Sequence, residues 1–374
     1  MSHAVIVGYV RSPFTPSHKG ALAKVRPDEF AAQAIKGLLA KTGVNPADVQ
    51  DLIVGCAFPE GEQGFNIGRM LVFLSGLPET VGGQTVNRWC GSSMEAIHIA
   101  AGKIAADAGE VFICAGVESM TRIPMGGYNP MPHPDLYAKH PQAYMAMGLT
   151  AENVAKQFNI SRKEQEEFAV ASHQKASKAN LADEIIPITT KAGTVDRDGC
   201  VRSDTTLEAL AGLKPAFDQN GTVTAGTSSP LTDGASAVLV VSEEYADKHK
   251  LPKLARIKSM AVAGLAPEVM GLGPVHASKV ALERAGLSMK DMDVVELNEA
   301  FSAQALACIR EMGVDASKVN LEGGAVAIGH PLGASGARIT GKAAKLLKAK
   351  GGKYALATAC IGGGMGIATV LEAI

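Results

Sequence analysis

Cys90 offers the most chemistry of any residue in the sequence. It stands in Thr85-Val86-Asn87-Arg88-Trp89-Cys90-Gly91-Ser92-Ser93, immediately ahead of a segment that reads as a helix, Ser92–Ala108. A helix N-terminus carries partial positive charge and free N–H groups, and both stabilise a thiolate and lower its pKa. Gly91 lets a substrate or another backbone come close. A buried structural cysteine is the competing reading, because free cysteines are commonly core residues. His330 sits in GGAVAIGHPLGASG, residues 323–336, where glycines and Pro331 make a rigid loop. A histidine held this way suits proton transfer or oxyanion donation; a capping or turn histidine is the alternative. Cys360 opens CIGGGMG, residues 360–366, directly after a predicted strand. That tight loop presents backbone N–H groups, as an oxyanion site requires, although Cys360 could equally be a core thiol. A dinucleotide loop is excluded there, since a strand should follow it and no P-loop lysine is present. Asn298 and Glu299 close a strand farther back; Asn298 can hold a water or an oxyanion, or cap a helix, and Glu299 can orient a neighbour. Jointly these loops supply a nucleophile, a base and a second acid/base.

The elements that must position them repeat along the chain. At an offset of 243 residues, Gly43-Val44 falls on Gly286-Leu287, Ala57-Phe58 on Ala300-Phe301, Val111–Ala115 on Tyr354–Thr358, and Asn87 on His330. One offset serving blocks this far apart indicates a duplication. Each copy reads as a helix ending at glycine (Ala31–Leu39, Val275–Leu282) and a short strand (Asp51–Val54, Val294–Leu297). A glycine-rich loop, a second helix (Ser92–Ala108, Ser335–Lys348) and another strand follow. Helices alternating with apolar strands predict mixed, mostly parallel sheets covered on both faces. Gly234–Val241 resembles Gly364–Leu371 at a shift of 130, so the first copy contains a long insertion. The expected organisation is an N-terminal half (1–116 and 233–250), an inserted loop domain (117–232) and a C-terminal half (251–374). Within the insertion, one amphipathic helix is predicted over Thr150–Lys178.

Composition narrows the function. A net charge of −1 provides no basic field for nucleic acid or an anionic membrane, so a phosphate-bearing ligand must be held by local groups. The six cysteines show no C-x-x-C spacing, which argues against a zinc site of that kind. No apolar stretch is long enough to span a bilayer, and the first apolar run reads as a strand, so a cytoplasmic protein with reduced thiols is expected.

VNRWCGSSMEA, NEAFSAQA, GGAVAIGHPLGASGAR and CIGGGMG follow one another in an order that resembles the thiolases over essentially the whole chain. The resemblance implies a duplicated α/β fold with a loop domain, and coenzyme A and acyl-CoA as substrates with no permanently bound cofactor. It implies that Cys90 becomes acylated, that His330 activates Cys90 and helps hold a thioester oxygen, and that Cys360 moves a proton at the α-carbon or the leaving thiol. Asn298 would hold a water completing one oxyanion hole with His330; the N–H groups of Cys90 and Gly362 would form the other. Coenzyme A contacts implied by the family are Met147, Phe217, Ala225, Ser229, Ala300 and Phe301. Acyl transfer to a protein thiol splits the reaction in two and predicts ping-pong kinetics. A homodimer or homotetramer is implied, with a multifunctional β-oxidation subunit as a further partner.

Two departures bear on the subtype. Many short-chain acetyl-CoA acetyltransferases have a histidine where this chain has Ala146, and GTSSPLTDG at 226–234 resembles the thiolase subunits of β-oxidation complexes. The GGGMG ending is shared with biosynthetic enzymes. The favoured reading is therefore a degradative 3-ketoacyl-CoA thiolase, with a biosynthetic acetyl-CoA acetyltransferase as the alternative. Condensing enzymes acting on carrier-bound malonyl groups typically use two histidines, or histidine and asparagine, and Cys360 argues against them. A non-catalytic acyl-CoA carrier would have no need of Cys90, His330 and Cys360 together.

Overall fold

The computed structural model describes residues 2–374. The first half opens with β1 (Ala4–Arg11), buried along its length, and β2 (Thr15–Pro16). The helix α1 (Pro27–Thr42) starts on Pro27, whose fixed φ suits a first turn, and stops at Gly43 with φ 67°. Next come β3 (Asp51–Gly55), α2 (Ile67–Leu74), β4 (Gly82–Val86), α3 (Ser92–Ala105) and β5 (Val111–Ser119).

The insertion leaves at the end of β5. It carries α4 (Pro134–Lys139), α5 (Met147–Gln157), α6 (Arg162–Lys178), the hairpin β6 (Ile188–Thr190) and β7 (Gly193–Val195), and α7 (Leu207–Ala211). The single helix expected over Thr150–Lys178 is thus two helices. The chain turns at Asn159, with φ 50°, and Ser161 restarts it through a capping box with Glu164. The apolar rhythm continues across the break because both helices pack against the same later helix, Ser302–Met312, so periodicity alone could not locate it. The Ser-x-x-Glu signal could have.

The chain then returns through β8 (Thr232–Ser242) and α8 (Glu243–Lys248). The second half is β9 (Ala255–Gly264), α9 (Gly273–Ala285), β10 (Val294–Leu297) and α10 (Ser302–Met312), then α11 (Ala325–Ile328), α12 (Leu332–Lys350), β11 (Tyr354–Ile361) and β12 (Met365–Glu372). The duplication is visible in detail: α9 ends at left-handed Gly286, the counterpart of Gly43.

Strand order mirrors the repeat. It runs β4-β3-β5-β8-β1 in one half and β10-β11-β12-β9 in the other. Among the described residues, strand pairing joins the halves where Val5 and Ile6 face Arg256 and Ala255. A lone parallel bridge from Val295 to Val319 takes the place of the β3–β4 pairing beside β10. The sheets are mixed, and parallel pairing belongs to the strands that helices connect, β3–β4, β3–β5 and β10–β11. The closing strands β8 and β12 pair antiparallel, β12 because a three-glycine turn folds it directly back on β11. Such a tight connection permits no other direction.

Helices form three layers around these strands. One core lies under α1 and α2, a second under α9 and α10, and the central one holds α3 and α12 between the two halves. Small side chains dominate the central helices, so the layers approach closely; a Cβ on Gly336 would lie 2.3 Å from the backbone nitrogen of Met94.

A buried ion cluster fixes the insertion to this frame. Arg11 Nε of β1 donates to Glu184 Oε1 at 2.7 Å, and its two terminal nitrogens reach Asp198 at 2.6 and 2.8 Å. Lys342 Nζ of α12 lies 2.5 Å from Glu184 Oε2. Burial pushes the Glu184 carboxyl up, but Arg11 and Lys342 together outweigh it and hold the group at about 2. A carboxylate whose folded pKa is depressed contributes stability that is complete above its unfolded value, about 4.3. That contribution is lost as pH falls from there through about 2. Glu184→Ala removes one of two carboxylates from each buried cation, leaving Arg11 with Asp198 and Lys342 with Glu322, and should cost about 2–3 kcal/mol, a fall in Tm of about 3–4 °C at neutral pH by differential scanning calorimetry. The difference from wild type should shrink as the pH is lowered through that window.

Candidate active site

Two loops from different halves meet at Cys90. The nucleophile candidate lies in a short 3-10 turn, Trp89–Gly91, that leads directly into α3. Asn87 shapes the approach: its Oδ1 accepts from Trp89 N at 2.9 Å, and its Nδ2 donates to Ala57 O at 3.0 Å. Gly91 is required by space, since a Cβ there would lie 2.6 Å from Ile361 Cδ1. The turn Gly362–Gly364 between β11 and β12 comes in from the second half. Gly363 and Gly364 take φ 74° and 84°, and the ring of Trp89 lies against Gly362 and Gly363.

Cys90 is half-buried, and the Gly362 N–H and its own N–H both donate to its sulfur. Burial nevertheless dominates and pushes the thiol up to about 12, with the Glu118 carboxylate adding to the rise. The thiolate expected from a helix N-terminus is therefore not the resting state: loss of solvent outweighs two N–H donors. Cys360, the penultimate residue of β11, is fully buried, and its thiol is also pushed well above the usual range by burial and then by neighbouring Cys90 and Cys308. Both sulfurs rest as neutral thiols.

His330 precedes α12, with Pro331 at the cap position. Its N–H donates to Thr232 Oγ1 at 3.0 Å, and its Nδ1 lies 2.5 Å from Ser335 Oγ. The Ser335 hydroxyl donates to Pro331 O at 3.3 Å, which leaves its oxygen to accept from Nδ1–H. This tautomer puts a lone pair on Nε2, which faces Asn298 Nδ2 at 3.3 Å. Burial, then the Arg338 charge, lowers the imidazole to about 4, so it is neutral through the physiological range.

Asn298 follows β10 and does not cap α10, whose cap position is Phe301. Its Oδ1 is buried and has no partner among the described residues, a polar atom aimed at whatever enters the site. Glu299 binds inward, accepting from Ser172 Oγ and Asn320 Nδ2, both at 2.7 Å, and from Val326 N at 3.2 Å. It fastens α6 of the insertion to the loops beside His330.

The residues expected to meet coenzyme A mostly converge. Met147, Ala300 and Phe301 share an apolar cluster with Cys360. Phe217 stands edge-on to Phe301, centroids 5.8 Å apart, and lies against Gly148. Ser229 N donates to Ala300 O at 3.0 Å. Ala225 is exposed in the turn between Phe217 and Ser229. On the other side, Cys90 packs against Ala57, Phe58, Met120 and Leu332, the last only two residues beyond His330. Sequence reasoning missed Ser335, Thr232 and Glu118. The first lies inside the GHPLGASG run, and the others are single polar residues near strand ends, with nothing in their spacing to set them apart.

The geometry suits acyl transfer: a thiol with N–H donors at its sulfur, a neutral imidazole, a second thiol and an apolar channel. Comparison with known proteins agrees. The family model described as thiolase, N-terminal domain, matches residues 4–244, and thiolase, C-terminal domain, matches 251–373. A 3-ketoacyl-CoA thiolase of Vibrio vulnificus is 48% identical, with both chains covered completely. The structure of human mitochondrial 3-ketoacyl-CoA thiolase in complex with CoA superposes with a TM-score of 0.91 at 38% identity, covering 100% of this chain and 98% of that one. A Bacillus anthracis acetyl-CoA acetyltransferase gives 0.92 at 39% identity, covering 100% and 99%. With both family domains matched end to end and close relatives aligned over their whole length, this chain belongs to the thiolase family of acyltransferases.

Proposed function

We propose that this enzyme cleaves 3-ketoacyl-CoA with coenzyme A, giving acetyl-CoA and an acyl-CoA shortened by two carbons. The observation that carries the reading is the convergence of Cys90, the Gly362 N–H and Cys360 beside the His330–Asn298 pair. Cys90 Sγ attacks the C3 ketone as its proton passes to His330 Nε2. The N–H groups of Cys90 and Gly362 receive the oxygen that becomes negative. The C2–C3 bond breaks, its electron pair goes to C2, and Cys360 protonates the acetyl-CoA enolate. His330, now carrying a proton on Nε2, donates to the enolate oxygen, together with a water held on Asn298. Coenzyme A then attacks the acyl-Cys90 thioester as its thiol proton passes to the Cys360 thiolate; Cys90 leaves and takes back its proton from His330 Nε2, which restores the enzyme. Because Cys90 and His330 both rest neutral, charge forms only as the proton moves.

Residues 117–232 serve in this reading as the loop domain that binds coenzyme A through Met147, Phe217, Ala225 and Ser229. They lie between an N-terminal half (1–116 and 233–250) and a C-terminal half (251–374), whose Ala300 and Phe301 complete the wall. Coenzyme A enters as substrate, and no resident cofactor is required. The degradative direction rests on the 3-ketoacyl-CoA thiolase relatives and on Ala146. Thiolysis of acetoacetyl-CoA and of a long-chain 3-ketoacyl-CoA by free coenzyme A tests it: both should be cleaved. Cleavage of acetoacetyl-CoA alone favours the biosynthetic acetyltransferase, and cleavage of neither sinks the thiolase reaction.

The protein acts as a homodimer or homotetramer in the cytoplasm, with a β-oxidation multifunctional subunit as a further partner. Strand β4 is outermost and pairs with β3 alone, and beside it Phe65, Met70, Phe73 and Leu74 are exposed. An open strand edge flanked by apolar side chains favours pairing with a second copy. Sedimentation equilibrium at micromolar concentration should return at least twice the mass of the chain; a monomer refutes the assembly.

A further inference from the structure

Glu118, at the end of β5, is fully buried next to the site yet has no part in the reaction above. Its partners are all donors. Oε2 accepts from Ala57 N at 2.8 Å and from Gly333 N at 2.9 Å. Oε1 accepts from Gln63 Nε2 at 2.9 Å and Phe58 N at 3.3 Å, with Cys56 Sγ at 3.7 Å. Ala57 and Phe58 belong to the loop after β3, in the first half, while Gly333 lies in the first turn of α12, in the second. From Ala57 the connection continues through its carbonyl to Asn87 and on to Trp89, next to Cys90. From Gly333 it is three residues back to His330. Gly333 permits the approach, since a Cβ there would lie 2.9 Å from Glu118 Oε2.

We propose that Glu118 is a positioning residue for thiolysis, a carboxylate that holds the Cys90 loop of one half and the His330 loop of the other at a fixed separation. The proposal rests on the thiolase reading above. Only an ionised carboxylate satisfies this set of donors. Glutamine has nearly the same shape, but in either orientation its amide N–H group points at N–H donors. The negative charge also favours Cys90 as a thiol, so the same residue restrains the nucleophile until the imidazole takes its proton.

The test compares Glu118→Gln and Glu118→Asp with wild type in the full-length enzyme, by steady-state thiolysis and by iodoacetamide alkylation of Cys90 followed by peptide mapping. Glu118→Gln should lower kcat about 100-fold, the scale of a displacement near 1 Å between reacting groups. KM for coenzyme A should move by less than about 3-fold, because its walls lie on the Cys360 side. Alkylation of Cys90 should be as fast as in wild type or faster, since a neighbouring negative charge has gone. Glu118→Asp keeps two acceptor oxygens and should recover part of kcat. If Glu118→Gln does not fold, Glu118→Asp carries the test alone and should show the same pattern at a smaller size. A kcat within about 3-fold of wild type overturns the proposal. So does a parallel decline of kcat, coenzyme A affinity, alkylation and Tm, which would mark Glu118 as general scaffold. Absence of turnover in wild type would instead strike the thiolase reading, and the positioning role with it.

Discussion

Replacing Cys90 by alanine should abolish turnover, lowering kcat by roughly 10,000-fold or more, because removing the nucleophile of a covalent mechanism leaves only binding and oxyanion stabilisation. The fold should tolerate the change. Cys90 is half-buried, and the apolar cluster around it keeps Ala57, Phe58, Met120 and Leu332. The informative measurement is the acyl label. Wild-type enzyme incubated with radiolabelled acetyl-CoA or a 3-ketoacyl-CoA should yield one labelled tryptic peptide carrying Cys90, and the alanine variant none. A label on Cys360 or Cys308 would reassign the nucleophile. Since burial pushes the Cys90 thiol up to about 12, alkylation of the free enzyme should be slow at neutral pH and accelerate well into the alkaline range. A thiol activated mainly by the helix N-terminus would react quickly at pH 7.

The second large effect is expected at Cys360. Cys360→Ser should reduce steady-state turnover about 100- to 10,000-fold, the usual loss when a positioned acid/base is replaced by a much weaker acid. It should leave a measurable burst of acyl-enzyme formation from acetyl-CoA, because attack by Cys90 does not need the second thiol. Rapid-quench analysis separates the two steps. Unimpaired turnover, or loss of the burst together with turnover, would count against the second proton transfer. The Cys360 thiol is held far above its usual range by burial and neighbouring sulfur. A reluctant acid of this kind gives up its proton only to a strong base, such as the carbanion formed at C2.

Much of this architecture was legible in the residues. The offset of 243 predicted two copies of one unit, and the left-handed glycines Gly43 and Gly286 close corresponding helices. Strand positions followed from short apolar runs, and the insertion from the displaced match of the last strand. The split between α5 and α6 was hidden because both helices turn apolar residues toward α10. The direction of β8 was hidden because a long insertion leaves it open in the sequence, whereas the short glycine turn before β12 already required an antiparallel return. At the site, cysteine, histidine and asparagine advertise their chemistry by type and glycine-rich context. Thr232 and Glu118 act through distances of 3.0 and 2.8 Å that exist only once separate segments have met, while Ser335 reaches His330 at 2.5 Å within one loop. The resting protonation states were misjudged for a related reason: helix position can be read along the chain, whereas desolvation depends on everything that packs around it.

The central layer has a consequence for the order in which the molecule is made. Helix α12 is buried on nearly every side, and one face lies on α3, whose residues are synthesised more than two hundred positions earlier. On the ribosome the apolar side of α3 therefore waits, uncovered, until almost the whole chain has emerged. Contacts this distant along the chain slow folding and prolong exposure to aggregation. Emergence of α12, rather than completion of the first half, is the moment at which the central layer can close, and truncation before α12 would leave both halves without a shared interior.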